Sequence, residues 1–163
     1  MRKIITCLMA VLSLNTACST LSSAEKAERD AKRAQAVEKA LAERQYTVNV
    51  TMVNPRRGSV IHVSSDYSLK VKGDTLVSYL PYFGRAYSLP YGGGKGFNFT
   101  APVKEYRSEK GRKGDTKIDI IVDTEEDIVT YRLDVFPDGN TSIDVTSRNR
   151  ESISYSGQLD MIV

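Results

Sequence analysis

The side chains with the most chemical potential crowd into one stretch, Gly73 to Pro102, GDTLVSYLPYFGRAYSLPYGGGKGFNFTAP. Tyr79, Tyr82, Phe83, Tyr87, Tyr91, Phe97 and Phe99 lie there with Arg85 and Lys95. Tyrosine combines an apolar ring with a polar tip, which suits ligand walls and interfaces. The chemistry indicated is non-covalent recognition, with Tyr82, Phe83, Arg85, Tyr87, Tyr91, Lys95 and Phe97 as candidate binding residues. The same rings would also serve as core packing, and residue types alone leave both readings open. Pro81 and Pro90 remove backbone donors, and Gly92, Gly93, Gly94 and Gly96 carry no side chain to pack. A bent, irregular region is therefore expected here rather than alternating strands.

Other chemistries find weaker support. Gly92-Gly93-Gly94-Lys95-Gly96 is rich in glycine, but a phosphate loop needs Gly-Lys-Ser/Thr leading into a helix. Here Lys95 is followed by Gly96 and the strand-like Phe97-Asn98-Phe99. His62 is the only histidine, with no nucleophile or acid placed around it by any triad pattern. One histidine, with one cysteine outside the leader, excludes the usual zinc spacings. Asp123, Glu125, Glu126 and Asp127 form an acidic turn that lacks the calcium-loop pattern, and Asp138-Gly139-Asn140 reads first as a turn. Carboxylates are numerous, so a glycosidase-like pair stays open, yet nothing singles one pair out. No catalytic residue, metal site or cofactor is expected.

The elements that must position these residues follow from patterning. Met1 to Ala17, MRKIITCLMAVLSLNTA, has a basic start, an apolar run and small residues at its end, as a secretory signal does. LNTAC, ending at Cys18, resembles a bacterial lipobox, although Asn15 stands where leucine is usual. Residues 1–17 are thus expected to be removed, Cys18 to be acylated, and residues 18–23 to form a tether to the membrane. Cys7 would be lost with the leader, so the mature domain would have neither free thiol nor disulfide. Of the 23 basic residues, Arg2 and Lys3 leave with the leader; 21 then face 20 acidic ones, a net charge of +1. That near-neutral balance argues against a nucleic-acid partner.

Residues 24–45, AEKAERDAKRAQAVEKALAERQ, are strong helix formers with no Gly or Pro. Their apolar stripe is mostly alanine, so a solvated stalk docked only through Val37 and Leu41 is expected. From Tyr46 to Val163 the period changes to two. Tyr46-Thr47-Val48-Asn49-Val50-Thr51-Met52 alternates, with Val48, Val50 and Met52 on one face, and further short strands follow at even spacing. Gly73-Asp74 and Pro137-Asp138-Gly139-Asn140 mark tight turns. With no helix between strands, parallel βαβ architecture is disfavoured. The fold class expected is mainly β: an antiparallel meander of roughly nine or ten strands forming a sandwich or partly open barrel, preceded by one N-terminal helix.

SSDYSLKVKGDTLVSYLPYFGRAY (Ser64 to Tyr87), PYGGGKGFNFTAP (Pro90 to Pro102), FPDGNTSIDV (Phe136 to Val145) and NRESISYSG (Asn149 to Gly157) resemble the domain of unknown function 4251 family of Bacteroidetes lipoproteins. The resemblance runs from about Ala36 to Leu159 and implies a cell-envelope lipoprotein with a mostly β domain. It supplies no activity and no site residues. Surface-exposed lipoproteins of such bacteria often carry acidic residues just after the lipidated cysteine. Ser19 to Ser23 has none, which implies an outer-membrane anchor facing the periplasm. Two functions remain: a non-enzymatic binding module for an envelope protein, glycan or small ligand, and a cell-envelope hydrolase with an unrecognised carboxylate site.

Overall fold

The period-two alternation organises most of the backbone, because strands that put every second side chain inward bury one apolar face. The computed structural model describes residues 23–64, 66–87, 96–124 and 127–161. Among these, one helix, α1 (Ser23–Ala42), precedes nine strands: β1 (Gln45–Pro55), β2 (Ile61–His62), β3 (Ser68–Lys72), β4 (Thr75–Leu80), β5 (Phe97–Lys110), β6 (Thr116–Asp123), β7 (Ile128–Val135), β8 (Asn140–Ser147) and β9 (Ile153–Met161). Every pairing is antiparallel. The order runs β2-β1-β3-β4-β5-β6-β7-β8-β9, and β1 also pairs with β9. The meander expected from the sequence is therefore present, and its sheet is closed. Eight strands make the barrel, and β2 adds a short extension to the β1 edge that β3 leaves free.

Closure depends on β1 bending. Tyr46, Val48 and Val50 point inward, but the register with β9 shifts between Val50 and Met52. A bulge of this kind inserts one residue and reverses the alternation beyond it. Val53 is buried in consequence, and Met52 does not share the inner face with Val48 and Val50. β9 accommodates the bend with a glycine. A Cβ on Gly157 would lie 2.1 Å from the Asn49 carbonyl oxygen. Across the barrel, β5 runs unbroken through Pro102, and its register with β6 shifts just beyond, between Val103 and Glu105.

Eight strands enclose an interior just wide enough for side chains to fill or for one small ligand. Here side chains fill it. Tyr46, Tyr131 and Tyr155 are fully buried with Leu69, Leu76, Leu80, Ile118, Ile120, Leu133 and Ile143. Each buried hydroxyl has a partner: Tyr46 meets the Tyr106 hydroxyl at 3.3 Å, Tyr131 donates to Ser78 Oγ at 3.1 Å, and Tyr155 donates to the Pro81 carbonyl at 2.7 Å. Ser78 passes its own proton to the Phe97 carbonyl at 2.7 Å. Among the described residues no buried side-chain nitrogen or oxygen lacks a partner.

The helix docks through its C-terminal half. Val37, Ala40 and Leu41 are buried, and Arg33 donates to the Asp138 carbonyl at 2.6 Å; residues 23–32, about 15 Å of helix, are exposed. It ends at Ala42 because Arg44 takes a left-handed conformation (φ 52°), and Gln45 already belongs to β1. Glycine is the usual residue at such a helix terminus. Arg44 instead uses its side chain, pairing with Asp74 at 3.0 Å and lying 4.4 Å from the centre of the Tyr106 ring. Its carbonyl accepts the Gly73 amide at 2.8 Å, so the helix exit and the β3–β4 turn meet at one end of the barrel.

Candidate binding surface

The Gly73 to Pro102 stretch divides between two environments. Its first part forms the β3–β4 hairpin turn and β4, and its last part opens β5. Between them the chain leaves β4 at Leu80, at the barrel end opposite the helix, and returns at Gly96 beside it. Residues 81–87 cross to the β8–β9 connection on the far side of the ring. Ala86 bridges to Arg150, the Tyr87 amide donates to the Asn149 carbonyl at 2.7 Å, and the Glu151 amide donates to the Arg85 carbonyl at 2.9 Å. The irregular region expected from the prolines and glycines is thus a strap over the barrel mouth.

Its inner side is packing. Pro81 is buried, and Phe97 is only 3% exposed. Tyr82 sets its ring edge-on to Phe97, with centres 5.5 Å apart, and its hydroxyl proton is shared between the Arg85 and Glu151 carbonyls at 2.7 and 3.0 Å. Burial raises the Tyr82 hydroxyl above its ordinary value, and the bond to Glu151 pulls the other way. The Arg150 guanidinium lies 4.9 Å from the Phe97 ring centre and 5.4 Å from that of Tyr82. It also donates to the Gly96 carbonyl at 2.6 Å, tying both ends of the connection together. Gly96 is required where it stands. Its φ is 92°, and a Cβ there would lie 2.3 Å from the Leu80 carbonyl oxygen.

The outer side is open. Phe83 is 44% exposed, Tyr87 is 71% exposed, and Arg85 between them is exposed as well. Tyr79, just before the strap, is half-exposed and stacks on Tyr67 at 5.4 Å. Of the seven candidate binding residues, Phe97 therefore belongs to the interior and Tyr82 holds the strap down. Phe83, Arg85 and Tyr87 face solvent, and Tyr91 and Lys95 lie outside the described residues. Sequence reasoning missed Arg150, whose role depends on a partner 54 positions away. Its sole local signal was a cation within a connection between two strands.

Charged groups at this end serve the turns. The Asp127 carboxylate accepts from the Ser147 hydroxyl and from the Arg148 amide at 3.1 Å. Asp123 pairs with Lys104 at 2.8 Å, and Glu125 and Glu126 lie outside the described residues. Glu151 is largely shielded beside Arg57 and Arg56, at 3.8 and 4.0 Å. His62 is exposed on β2. No cluster of three or more His, Cys, Asp or Glu suited to a metal occurs among the described residues. Burial likewise raises Tyr46, Tyr106, Tyr131 and Tyr155 above the ordinary phenol value. The arrangement offers stacking, cationic and hydrogen-bonding contacts on an exterior surface.

Comparison with known proteins agrees with this architecture. A crystal structure of a DUF4251 family protein from Bacteroides eggerthii superposes with a TM-score of 0.66 at 19% identity, covering 82% of this chain and 91% of that one. That likeness speaks to the fold. No curated protein matches the sequence. The family model described as "Domain of unknown function (DUF4251)" matches residues 28–159, which takes in the docked part of α1 and nearly the whole barrel. The chain belongs to the DUF4251 family.

Proposed function

We propose that this protein is a lipid-anchored binding module of the cell envelope, held by Cys18 in the outer membrane and facing the periplasm. It recognises an envelope partner through the strap at the barrel end remote from the helix. The observation that carries this reading is the division of one short segment: Tyr82 and Phe97 are committed to packing, and Phe83, Arg85 and Tyr87 are left exposed. Exposed aromatic residues beside an arginine have the composition of binding hot spots. The buried side chains that fill the interior among the described residues support an exterior site. The helix supports the geometry, because a tether before Ser23 would leave from the opposite end.

A photo-reactive amino acid placed at Phe83 or at Tyr87 should give the same discrete cross-linked species in intact cells. Placed at Thr100, exposed on the barrel wall, it should not. An identical pattern from all three positions, or no adduct from the strap, would contradict the proposal.

A further inference from the structure

A second surface, on the barrel wall near the helix-bearing end, has a different chemistry. β8, β9 and β1 lie side by side, with Ser142 opposite Ser156, Asn140 opposite Gln158, and Met52 opposite Ser156. In β9 the buried side chains are Ile153, Tyr155 and Leu159, so Ser154, Ser156 and Gln158 point outward. In β8, Thr141, Ile143 and Val145 are buried, so Asn140 and Ser142 point outward. The bulge in β1 turns Met52 toward the same face, beside Thr51. A barrel wall is normally convex. Here Phe136, at the start of the β7–β8 turn, lines one side of an open groove of about 420 Å³. That volume falls within the range of ligand pockets, roughly 300–1,000 Å³.

The lining decides what the groove suits. Thr51, Asn140, Ser142, Ser156 and Gln158 present hydroxyls and amides beside the apolar Met52 and Phe136, and no lining side chain is charged. Several of these groups are held in place while keeping bonding capacity. Gln158 donates one proton to the Asp138 carbonyl at 2.8 Å, leaving its second proton and its oxygen. Asn140 donates to the Asp138 carboxylate at 2.5 Å, which leaves its carbonyl free to accept. Ser156 accepts a long bond of 3.4 Å from Asn54 and retains its own proton. The Ser142 hydroxyl makes no hydrogen bond among the described residues. Phe136 is 37% exposed and offers an apolar ring. The backbone here is already paired within the sheet, so an incoming peptide strand would find no free edge.

We infer that this groove binds a short neutral carbohydrate. The surfaces of such a ligand match the lining: hydroxyls that both donate and accept, and an apolar ring face for Phe136. An anionic ligand would meet no cation in the lining, and an acyl chain would meet only two apolar side chains, Met52 and Phe136. This site is separate from the strap and does not rest on the reading given to it.

The test is a nuclear magnetic resonance titration of the purified protein with three neutral trisaccharides, triacetylchitotriose, cellotriose and maltotriose, against anionic trigalacturonate. At least one neutral sugar should give saturable shifts centred on Ser142, Ser156 and Gln158, and trigalacturonate should give none there. Ser142→Lys adds a long charged side chain at an outward strand position, opposite Asp134 of β7, where opposite charges are tolerated. It should weaken binding at least about tenfold at an unchanged melting temperature, and Phe136→Ala should weaken it by roughly the same factor. Because Phe136 also borders the helix, Ser142→Lys is the variant that separates binding from folding. The inference is overturned by the absence of saturable shifts up to about 10 mM sugar. Shifts centred on Phe83 and Tyr87 overturn it too, as do shifts in the groove that follow protein concentration without sugar, which would show a second copy there.

Discussion

Three tyrosines are fully buried in the core, and each is placed so that its hydroxyl finds an oxygen. Tyr155 reaches the Pro81 carbonyl, so the barrel interior itself anchors the first residue of the strap. Tyr131 reaches Ser78, which reaches Phe97, where the strap returns. Both bonds require neutral phenols. Burial raises the folded-state values of Tyr46, Tyr131 and Tyr155 above the ordinary value of 10.0. Above that pH an unfolded chain loses protons that the folded chain retains, so the stability from these groups is intact below pH 10 and falls as pH rises. Each such tyrosine removes up to about 1.4 kcal/mol per pH unit in that window. Tyrosinate absorbance in an alkaline titration should therefore show a cooperative step coinciding with loss of the β circular-dichroism signal. Smooth titration of every tyrosine with the β signal intact would contradict the burial described. The sequence shows these positions as inward members of alternating strands, but hydroxyl partners 53 and 74 positions away leave no local trace.

At the scale of elements, alternation made the strands legible wherever both faces differ in polarity, as in β6, β7 and β8. The turn Phe136-Pro137-Asp138-Gly139 was legible from its residue types, and the structure closes it with the Gly139 amide donating to the Phe136 carbonyl at 2.8 Å. What sequence could not show was register. The bulge at Thr51 moves Val53 inward in place of Met52, and no residue type marks it. Gly157 is its counterpart, and in sequence it reads merely as a glycine inside a strand. Gly157→Ala would drive a methyl group into the Asn49 carbonyl at the seam where β9 meets β1. It should lower stability by about 1–3 kcal/mol or more, the cost of overpacking against atoms that cannot yield. Equilibrium urea unfolding reads this directly, and a wild-type midpoint would mean that the seam is looser than described. The strap follows the same logic. Its irregularity was legible from Pro81 and Gly96, but its division into a packed and an open side depends on Arg150, Asn149 and Glu151 approaching from another connection.

For the whole molecule, the barrel is closed and its described interior is filled by buried side chains, and the docked helix gives it a near end and a far end. If Cys18 carries the anchor, Cys18→Ser should release the protein from the membrane fraction, and intact-mass analysis of the wild type should show an acylated N-terminus at Cys18. Retention of the Cys18→Ser variant in the membrane would contradict the anchor. A strap whose outer side contributes nothing to the fold would be free for a partner. Thermal melting of the Phe83→Ala/Arg85→Ala/Tyr87→Ala variant, compared with Phe97→Ala, tests it most directly. Phe97 is buried, so its truncation should cost about 3–5 kcal/mol and lower the melting temperature by roughly 10 °C or more. The triple variant should melt within about 2–3 °C of wild type, as surface substitutions do. A triple variant that melts as early as Phe97→Ala would show that the outer side is part of the structure, and the binding surface proposed there would be lost.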